Sequence, residues 1–310
     1  KDKSITSWKS NLHKLESLIV PITIYDRMIV RKSESFSVKY IYNKENIPKG
    51  DSKEERCAFR GEDIKNNFNI EEKDCIIFRT LDIFKIDRSK LDFSIDIEKN
   101  IPMKSGLGGA SSDAAFFIKY LLQKGFLRNI KKNELFEKAC EIGSDIPFFL
   151  ENKPSIVTGF GEKVFSLSFF PLLFFVIVSD FEKESTKKMF DMYDDLVKIK
   201  KEEKFTKKFL IKQKNFKNKF FKFYKKNLQN DKKYVLYIKE IANNDFEQVL
   251  SILYPNFGEL KNSCENSLFG QISGAGPSLF YVFSEKLKAM NCFNNLCFYH
   301  GRVNFAHVIL

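Results

Sequence analysis

The sharpest pattern in the chain is a two-residue alternation: Leu91, Phe93, Ile95 and Ile97 are apolar, while Asp92, Ser94, Asp96 and Glu98 between them are polar. Period two is the repeat of a half-buried strand. Ahead of it, Ile76, Ile77, Leu81 and Phe84 recur at helical spacing and predict a helix within residues 74–84. Behind it, Gly106, Gly108, Gly109, Ser111 and Ser112 lead into the run Ala114, Ala115, Phe116, Phe117, Ile118, Tyr120, Leu121, Leu122, a glycine-rich turn opening onto a helix. A second helix is predicted from about Lys132 to Ile142, with Gly143 as its C-cap. The next residues, Ser144-Asp145-Ile146-Pro147-Phe148-Phe149-Leu150, read as an acid in a turn followed by an aromatic strand.

Towards the N-terminus, Leu12–Ile24, Arg27–Val30 and Phe36–Ile41 have β-type composition and predict an antiparallel sheet; Ser4–Thr6 reads as the tail of a strand. Residues 43–69 are polar and turn-rich, as in a surface loop. After the turn Thr158–Glu162, the stretch Phe169–Val178 reads as a buried strand, well short of the roughly 20 residues of a membrane helix. Helical spacing returns at Tyr234–Ile241 and Phe246–Leu253, and a second glycine-rich turn, 271–278, precedes a strand at Leu279–Phe283. The mixture predicts an α/β protein. At 310 residues its length favours about two domains, which we divide as 1–163 and 164–310.

Charge changes the picture less than its total suggests. Residues 198–233 hold fifteen lysines, no arginine and three acids, so this segment alone accounts for the chain's net charge of +12. It reads either as an amphipathic helical insertion, because Phe205, Phe209, Phe216, Phe220 and Phe221 recur among the lysines, or, the preferred reading, as a solvated surface of drifted composition. A localised excess of this kind does not by itself make a nucleic-acid-binding protein. The six cysteines show neither CxxC pairs nor the Cys/His spacings of a zinc site, which argues for reduced, mostly buried thiols. With no signal-peptide pattern and no membrane-length apolar run, a soluble intracellular protein is expected.

Candidate chemistry centres on residues 101–115, IPMKSGLGGASSDAA. The N–H groups of a helix's first turn lack internal partners, and glycine lets a ligand approach the backbone, so such a turn can cradle phosphate. A tight turn before a buried helix explains the same residues. Asp145, alone, is a turn or N-cap aspartate.

Taken together, PMKSGLGGASSDAA (Pro102 to Ala115), GSDIPFFL (Gly143 to Leu150) and SGAGPSLF (Ser273 to Phe280) resemble the three motifs of the GHMP kinases, in family order. Weaker similarities lie in LHKLESL (Leu12 to Leu18), GFGEKV (Gly159 to Val164), and NDFE followed by LYP (Asn244 to Glu247, Leu253 to Pro255). The resemblance implies a two-domain α/β (α+β) fold, with a ribosomal protein S5 domain 2-like N-terminal domain containing a left-handed βαβ unit and a C-terminal α/β domain. It implies ATP-dependent phosphorylation of an alcohol, within the branch acting on the 2-hydroxyl of 4-diphosphocytidyl-2-C-methyl-D-erythritol in non-mevalonate isoprenoid synthesis. Another small-molecule kinase of the family, acting on homoserine, mevalonate or a sugar, is the alternative.

By the same resemblance, Pro102, Met103, Lys104, Ser105, Gly106, Leu107, Gly108, Gly109, Ala110, Ser111 and Ser112 hold ATP, with Ser112 a candidate Mg²⁺ contact. Asp145 is the catalytic acid residue that takes or orients the hydroxyl proton, and Asp113 instead balances the helix dipole or touches the nucleotide side. His13, Thr186 and Phe190, the last two after Ser185, are the expected grip on the cytidyl end, with Ser273, Gly274 and Gly276 lining the substrate. Small molecules, not nucleic acid or membrane, are the expected partners, in a monomer or homodimer located in the cytoplasm, or in a plastid if the source is eukaryotic. The family also carries a strand lysine further upstream of its histidine than the twelve residues that precede His13 here, with tyrosine where this chain has Leu12 and Asp and Gly at Ser10 and Asn11. That lysine is therefore expected upstream of Lys1, or the chain as given is a catalytically impaired homologue.

Overall fold

A computed structural model describes residues 13–42, 67–68, 75–179, 186–202, 216–227 and 230–310. The expected strand at Ser4–Thr6 and nearly all of the expected loop at 43–69 lie outside the described residues, as do Ser10, Asn11, Leu12 and Ser185. By contacts the chain divides into two compact units: Lys1–Met103 with Gly108–Leu167 and Ile309, and Lys104–Leu107 with Ser168–Val308 and Leu310. The short piece Lys104–Leu107 thus belongs to the second unit although its neighbours in sequence belong to the first.

In unit 1, β1 (Leu15–Ile19), β2 (Arg27–Lys32), β3 (Ser37–Tyr42), β4 (Asn67–Phe68), α1 (Ile76–Ile83) and β5 (Phe93–Lys99) precede the glycine-rich turn. Then come α2 (Gly109–Gln123), α3 (Lys132–Ile142), α4 (Ile146–Glu151), β6 (Ser155–Gly159) and β7 (Lys163–Ser166). The sheet expected to be antiparallel is mixed: β2 pairs antiparallel with β5, β3 pairs parallel with it, and β1 joins β6 and β7 in a separate sheet. A parallel neighbour needs a crossover, and the chain between β3 and β5 supplies it through α1. Helix α2 is apolar nearly all round because it packs on both sides. Phe117 and Leu121 join Phe93, Ile95 and Ile97 of β5, while Ala114, Ala115 and Ile118 meet Ala139, Ile142 and Ile146 of the neighbouring helices.

The aromatic strand expected after Asp145 is instead the helix α4. Proline in the first turn has no N–H to lose there, and Pro147 occupies that position. Gly143 does cap α3, but with extended backbone, φ −168° and ψ 137°, rather than left-handed.

Unit 2 contains β8 (Phe174–Val178), α5 (Thr186–Glu202), α6 (Phe216–Lys226), α7 (Asp231–Ile241), α8 (Glu247–Leu253) and α9 (Phe257–Asn262), then β9 (Phe269–Ile272), β10 (Leu279–Phe283), α10 (Lys286–Cys297) and β11 (Val303–His307). Its antiparallel sheet runs β11-β8-β10-β9, and Val176, Val178, Leu279, Tyr281 and Phe283 form a core with Val249, Leu250, Ala289 and Leu296. Cys264 and Cys292 of this core are joined as a disulfide across a Cα–Cα distance of 6.3 Å, against the expectation of reduced thiols. Folding brings α10 against the turn that follows α9, and this proximity is invisible in the cysteine spacing. Cys75 and Cys140 are free and buried, and Cys297 is free and exposed.

The Lys/Phe-rich segment also departs from the preferred reading. Over Phe216–Lys226 it is an amphipathic helix whose Phe220 and Tyr224 are buried. They pack with Tyr234 of α7, Phe223 stacks on Tyr237 at 3.9 Å, and the Tyr224 hydroxyl accepts the Phe169 N–H at 2.8 Å. Aromatic burial outweighs the mutual repulsion of lysines that remain solvated on the other face. Residues 203–215 and 228–229 of the segment lie outside the described residues.

Phe220→Ala is expected to cost about 3–5 kcal/mol in urea unfolding, the range for truncating a buried aromatic. A cost below about 0.5 kcal/mol, normal for a surface site, would mean that α6 is not docked.

Candidate active site

The alternation that builds β5 continues past Ile97. Phe93, Ile95, Ile97 and Lys99 are all buried, so the strand's last inward position carries an ammonium group. A buried charge must be paired. Lys99 Nζ donates to Asp113 Oδ2 at 2.6 Å and also to Asp26 Oδ2, and the three side chains retain only 7%, 5% and 3% exposure respectively. Asp26 Oδ1 accepts the N–H groups of Asn100 and Ile101 at 2.7 and 2.8 Å, the two residues that leave the strand. Burial pushes the Asp113 carboxyl up to about 7; Lys99 pulls against this and Asp26 adds to it. The buried Tyr42 hydroxyl is likewise pushed up to about 12, by burial first and then by Asp113 and Asp26.

Asp113 was expected to balance the dipole of α2 or reach the nucleotide side. Its carboxylate is instead turned inward to Lys99, because Asp113, Phe117 and Leu121 share the buried face of the helix at four-residue spacing.

The glycine-rich turn is assembled in two places. In unit 2, Gly106 lies so close to the second glycine turn that a β-carbon would sit 2.5 Å from the Gly276 carbonyl oxygen and 2.6 Å from that of Ser273. Its φ of 78° is one that side chains rarely adopt. Ser273 Oγ donates to the Gly106 carbonyl at 2.9 Å, and the Ser278 N–H to that of Ser105 at 3.1 Å. Asn244 Nδ2 donates to the Ile272 and Gly274 carbonyls at 3.2 and 2.8 Å, tying the NDFE segment to the same turn. Ser105 is buried, and Lys104 is exposed with φ 53°.

In unit 1, Gly108 stands at the N-cap of α2 and offers no side-chain acceptor, so the first-turn N–H groups of Gly109, Ala110 and Ser111 have no cap. Ser112 Oγ donates back to the Gly109 carbonyl at 2.8 Å. Pro102 is buried and Met103 packs against the sheet core, anchoring the approach to the turn.

The corner carrying Asp145 sits beside this helix start. A β-carbon on Gly143 would lie 3.6 Å from Ser111 Oγ, and one on Gly108 would strike the Phe149 ring of α4 at 2.7 Å. Gly161 closes the corner from the other side, its β-carbon position only 2.0 Å from the Ser144 carbonyl oxygen, and Cys140 Sγ donates to the Phe160 carbonyl at 3.1 Å. Asp145 holds the N-cap position of α4, yet its side chain makes no capping hydrogen bond, so the ordinary cap explanation does not account for it. His13 is exposed and precedes β1, whose Leu15 pairs opposite Gly159, at the end of unit 1 where the Gly159–Glu162 turn lies.

Thr186 opens α5, and the Phe190 ring packs edge-on against Phe246 at 4.8 Å, a contact within unit 2. Lys99 and Asp26 are not singled out in the sequence, and Asn244 enters there only within the NDFE similarity, with no role of its own. Lys99 could have been found by carrying the alternation one step further, and Asp113 by the helical face it shares; Asp26 lies in a connection without a repeat.

The donors fit a polyphosphate: an uncapped helix start, small residues at Gly109 to Ser112, and backbone aligned by packing rather than by capping side chains. They do not fit a metal held by protein alone, because the described residues contain no group of three or more His, Cys, Asp or Glu that could bind one. Nor is any helix among the described residues long and apolar enough to cross a membrane.

Residues 76–153 match the family model for the GHMP kinases N terminal domain. A protein of Clostridium botulinum (strain Loch Maree / Type A3) named 4-diphosphocytidyl-2-C-methyl-D-erythritol kinase is 30% identical over 290 residues, which cover 93% of this chain and 89% of that protein. A crystal structure of 4-(cytidine 5'-diphospho)-2C-methyl-D-erythritol kinase superimposes with a TM-score of 0.63 at 18% identity, covering 96% of this chain and 90% of the other. An L. major mevalonate kinase reaches 0.59 at 14% identity with the same coverage, so that likeness is one of fold.

Two outcomes test this geometry. Gly106→Ala would force a β-carbon into two carbonyls at a left-handed φ and is expected to destabilise the protein by about 2 kcal/mol or more; a melting temperature equal to the parent's would contradict the close approach. The second concerns Asp113, whose folded-state pKa of about 7 lies above the usual 3.8, so its contribution to stability is fully present below pH 3.8 and is lost as pH rises through 7. Asp113→Asn is neutral throughout, so its stability relative to the parent should shift in the variant's favour as pH rises from about 4 to about 7 and level off above that. A difference that does not vary with pH would show that the carboxyl is ionised across that range.

Proposed function

Because this chain belongs to the GHMP kinase family, we propose that it transfers the γ-phosphoryl group of ATP to the 2-hydroxyl of 4-diphosphocytidyl-2-C-methyl-D-erythritol, giving ADP and the 2-phosphate. The observation that carries this reading is the shared identity with a protein of that name along 93% of this chain. The placement of Asp145 beside the uncapped start of α2 supports it.

Phosphoryl transfer to an alcohol depends on positioning and on a group that accepts the hydroxyl proton. The N–H groups of Gly109, Ala110 and Ser111 receive phosphate oxygens, with the Ser111 hydroxyl as a further donor. Lys104 and Ser105 border the nucleotide. Ser112 Oγ, although it donates to the Gly109 carbonyl, keeps lone pairs that would hold Mg²⁺, which when bound with the nucleotide would neutralise phosphate charge. Asp145 orients the acceptor hydroxyl and takes its proton. His13, Thr186 and Phe190 hold the cytidyl end, and Ser273, Gly274 and Gly276 the remainder of the substrate.

A soluble substrate pair fits work in the cytoplasm, or in a plastid in a eukaryotic source, as a monomer or homodimer. Mevalonate, homoserine and sugar kinases share the fold, so the substrate is decided by assay. With ATP and Mg²⁺, the cytidyl substrate should be phosphorylated and mevalonate, homoserine and galactose should not; the reverse pattern rejects the assignment.

Asp145→Asn should lower turnover by about 10²-fold or more, as loss of an acid–base group does, with nucleotide affinity within about twofold of the parent, well under one tenfold step. Unchanged turnover would remove Asp145 from the chemistry. Titration of the nucleotide-free protein with Mg²⁺ alone should give no binding at micromolar concentrations; tight binding would reveal a protein-only metal site.

A further inference from the structure

We propose that Lys99 is the positioning residue of the phosphate-binding turn, acting by bridging Asp26 and Asp113; this rests on the reading that the turn binds nucleotide. The three charges lie on three different pieces of unit 1: the end of β5, the connection between β1 and β2, and the second turn of α2.

Asp26 holds the exit from the strand through the N–H groups of Asn100 and Ile101, and it also lies near the far side of the turn. A β-carbon on Gly109, the first residue of α2, would lie 3.5 Å from Asp26 Oδ2 and 3.1 Å from Ile101 Cγ2. One carboxylate therefore fixes where the chain leaves β5 and where α2 begins, the two ends of the loop 100–108. Asp113 sets the rotation of α2 about its axis, because its side chain must sit on the face that reaches Lys99. Lys99 is the cation common to both. Without it Asp26 and Asp113 share a buried site with no cation, and the bonds that tie α2 and the connection to the strand end are lost.

The bond set also explains why the turn can dispense with a capping side chain at Gly108. The orientation that a cap would supply comes from the ion cluster beneath, leaving the N–H groups of Gly109 to Ser111 uncommitted.

The test compares the parent with Lys99→Met, and with the double variant Lys99→Met/Asp113→Asn, which removes one of the two acids left without a cation while Asp26 keeps the Asn100 and Ile101 N–H groups, so that the fold is kept if the single variant does not keep it. Binding of a non-hydrolysable ATP analogue with Mg²⁺ is measured by calorimetry on protein shown to be folded by circular dichroism, together with KM for ATP and for the acceptor. The expected result is a rise of about tenfold in the analogue Kd and in KM for ATP, the lower end of what loss of an outer-shell partner costs a bound group. KM for the acceptor should stay within about twofold, well under one tenfold step. A residue that only stabilised the fold would lower the active fraction and kcat while leaving both KM values in place. Folded variants with the parent's Kd and KM for ATP overturn the proposal. A parent that binds no adenine nucleotide overturns the functional reading itself, and this inference with it.

Discussion

A lysine buried at the end of a strand can exist only if its charge is answered, and in this protein the answer organises the loop that follows. Lys99 is bonded to Asp26 and Asp113, and Asp26 is bonded in turn to the first two backbone N–H groups beyond the strand. Removing one partner from a buried pair typically costs about 3–5 kcal/mol, because it strands the other charge in a medium that cannot solvate it. The cluster gains little over apolar residues of the same volume. It does specify one arrangement of strand, loop and helix among the many that a hydrophobic contact would tolerate, since ammonium and carboxylate must meet within hydrogen-bond distance.

The second constraint is steric. Gly106 against Gly276, Gly108 against Phe149 and Gly161 against Ser144 are approaches that a methyl group would prevent, and each joins two motifs distant in sequence. The glycine-rich turn is therefore shaped from outside: by the turn Ser273–Ser278 in one unit, and by α4 with the Gly159–Glu162 turn in the other. This is why the start of α2 and the Asp145 corner adjoin although more than thirty residues separate Gly109 from Asp145. The uncapped start of α2 and the corner that carries Asp145 are thereby brought side by side within one unit.

The Lys-rich region follows a different logic. Its charge is large, but in α6 the residues that decide structure are Phe220, Phe223 and Tyr224, which dock on α7 and on the start of the chain leading into β8. The lysines are compatible with this because their long side chains keep the ammonium groups in water. Net charge describes the solvated face of that helix and says nothing of its core.

From sequence alone, the elements with a strong period were legible: β5 from its alternation, α2 and α3 from helical spacing, β10 from its apolar run, and the family from three motifs in order. These depend on neighbours in the chain, and local periodicity records which face is buried. The tertiary structure decided what depends on partners distant in sequence. It made Ile146–Glu151 a helix, because Pro147 and the packing of Phe149 on Gly108 outweigh the aromatic β-propensity of the segment. It placed β1 in a different sheet from β2 and β3, joined Cys264 to Cys292, and turned Asp113 inward to a lysine fourteen residues away. A sequence pattern can show that Lys99 faces the core. Only the fold can supply the charges that let it stay there, because Asp26 comes from a connection with no periodicity of its own.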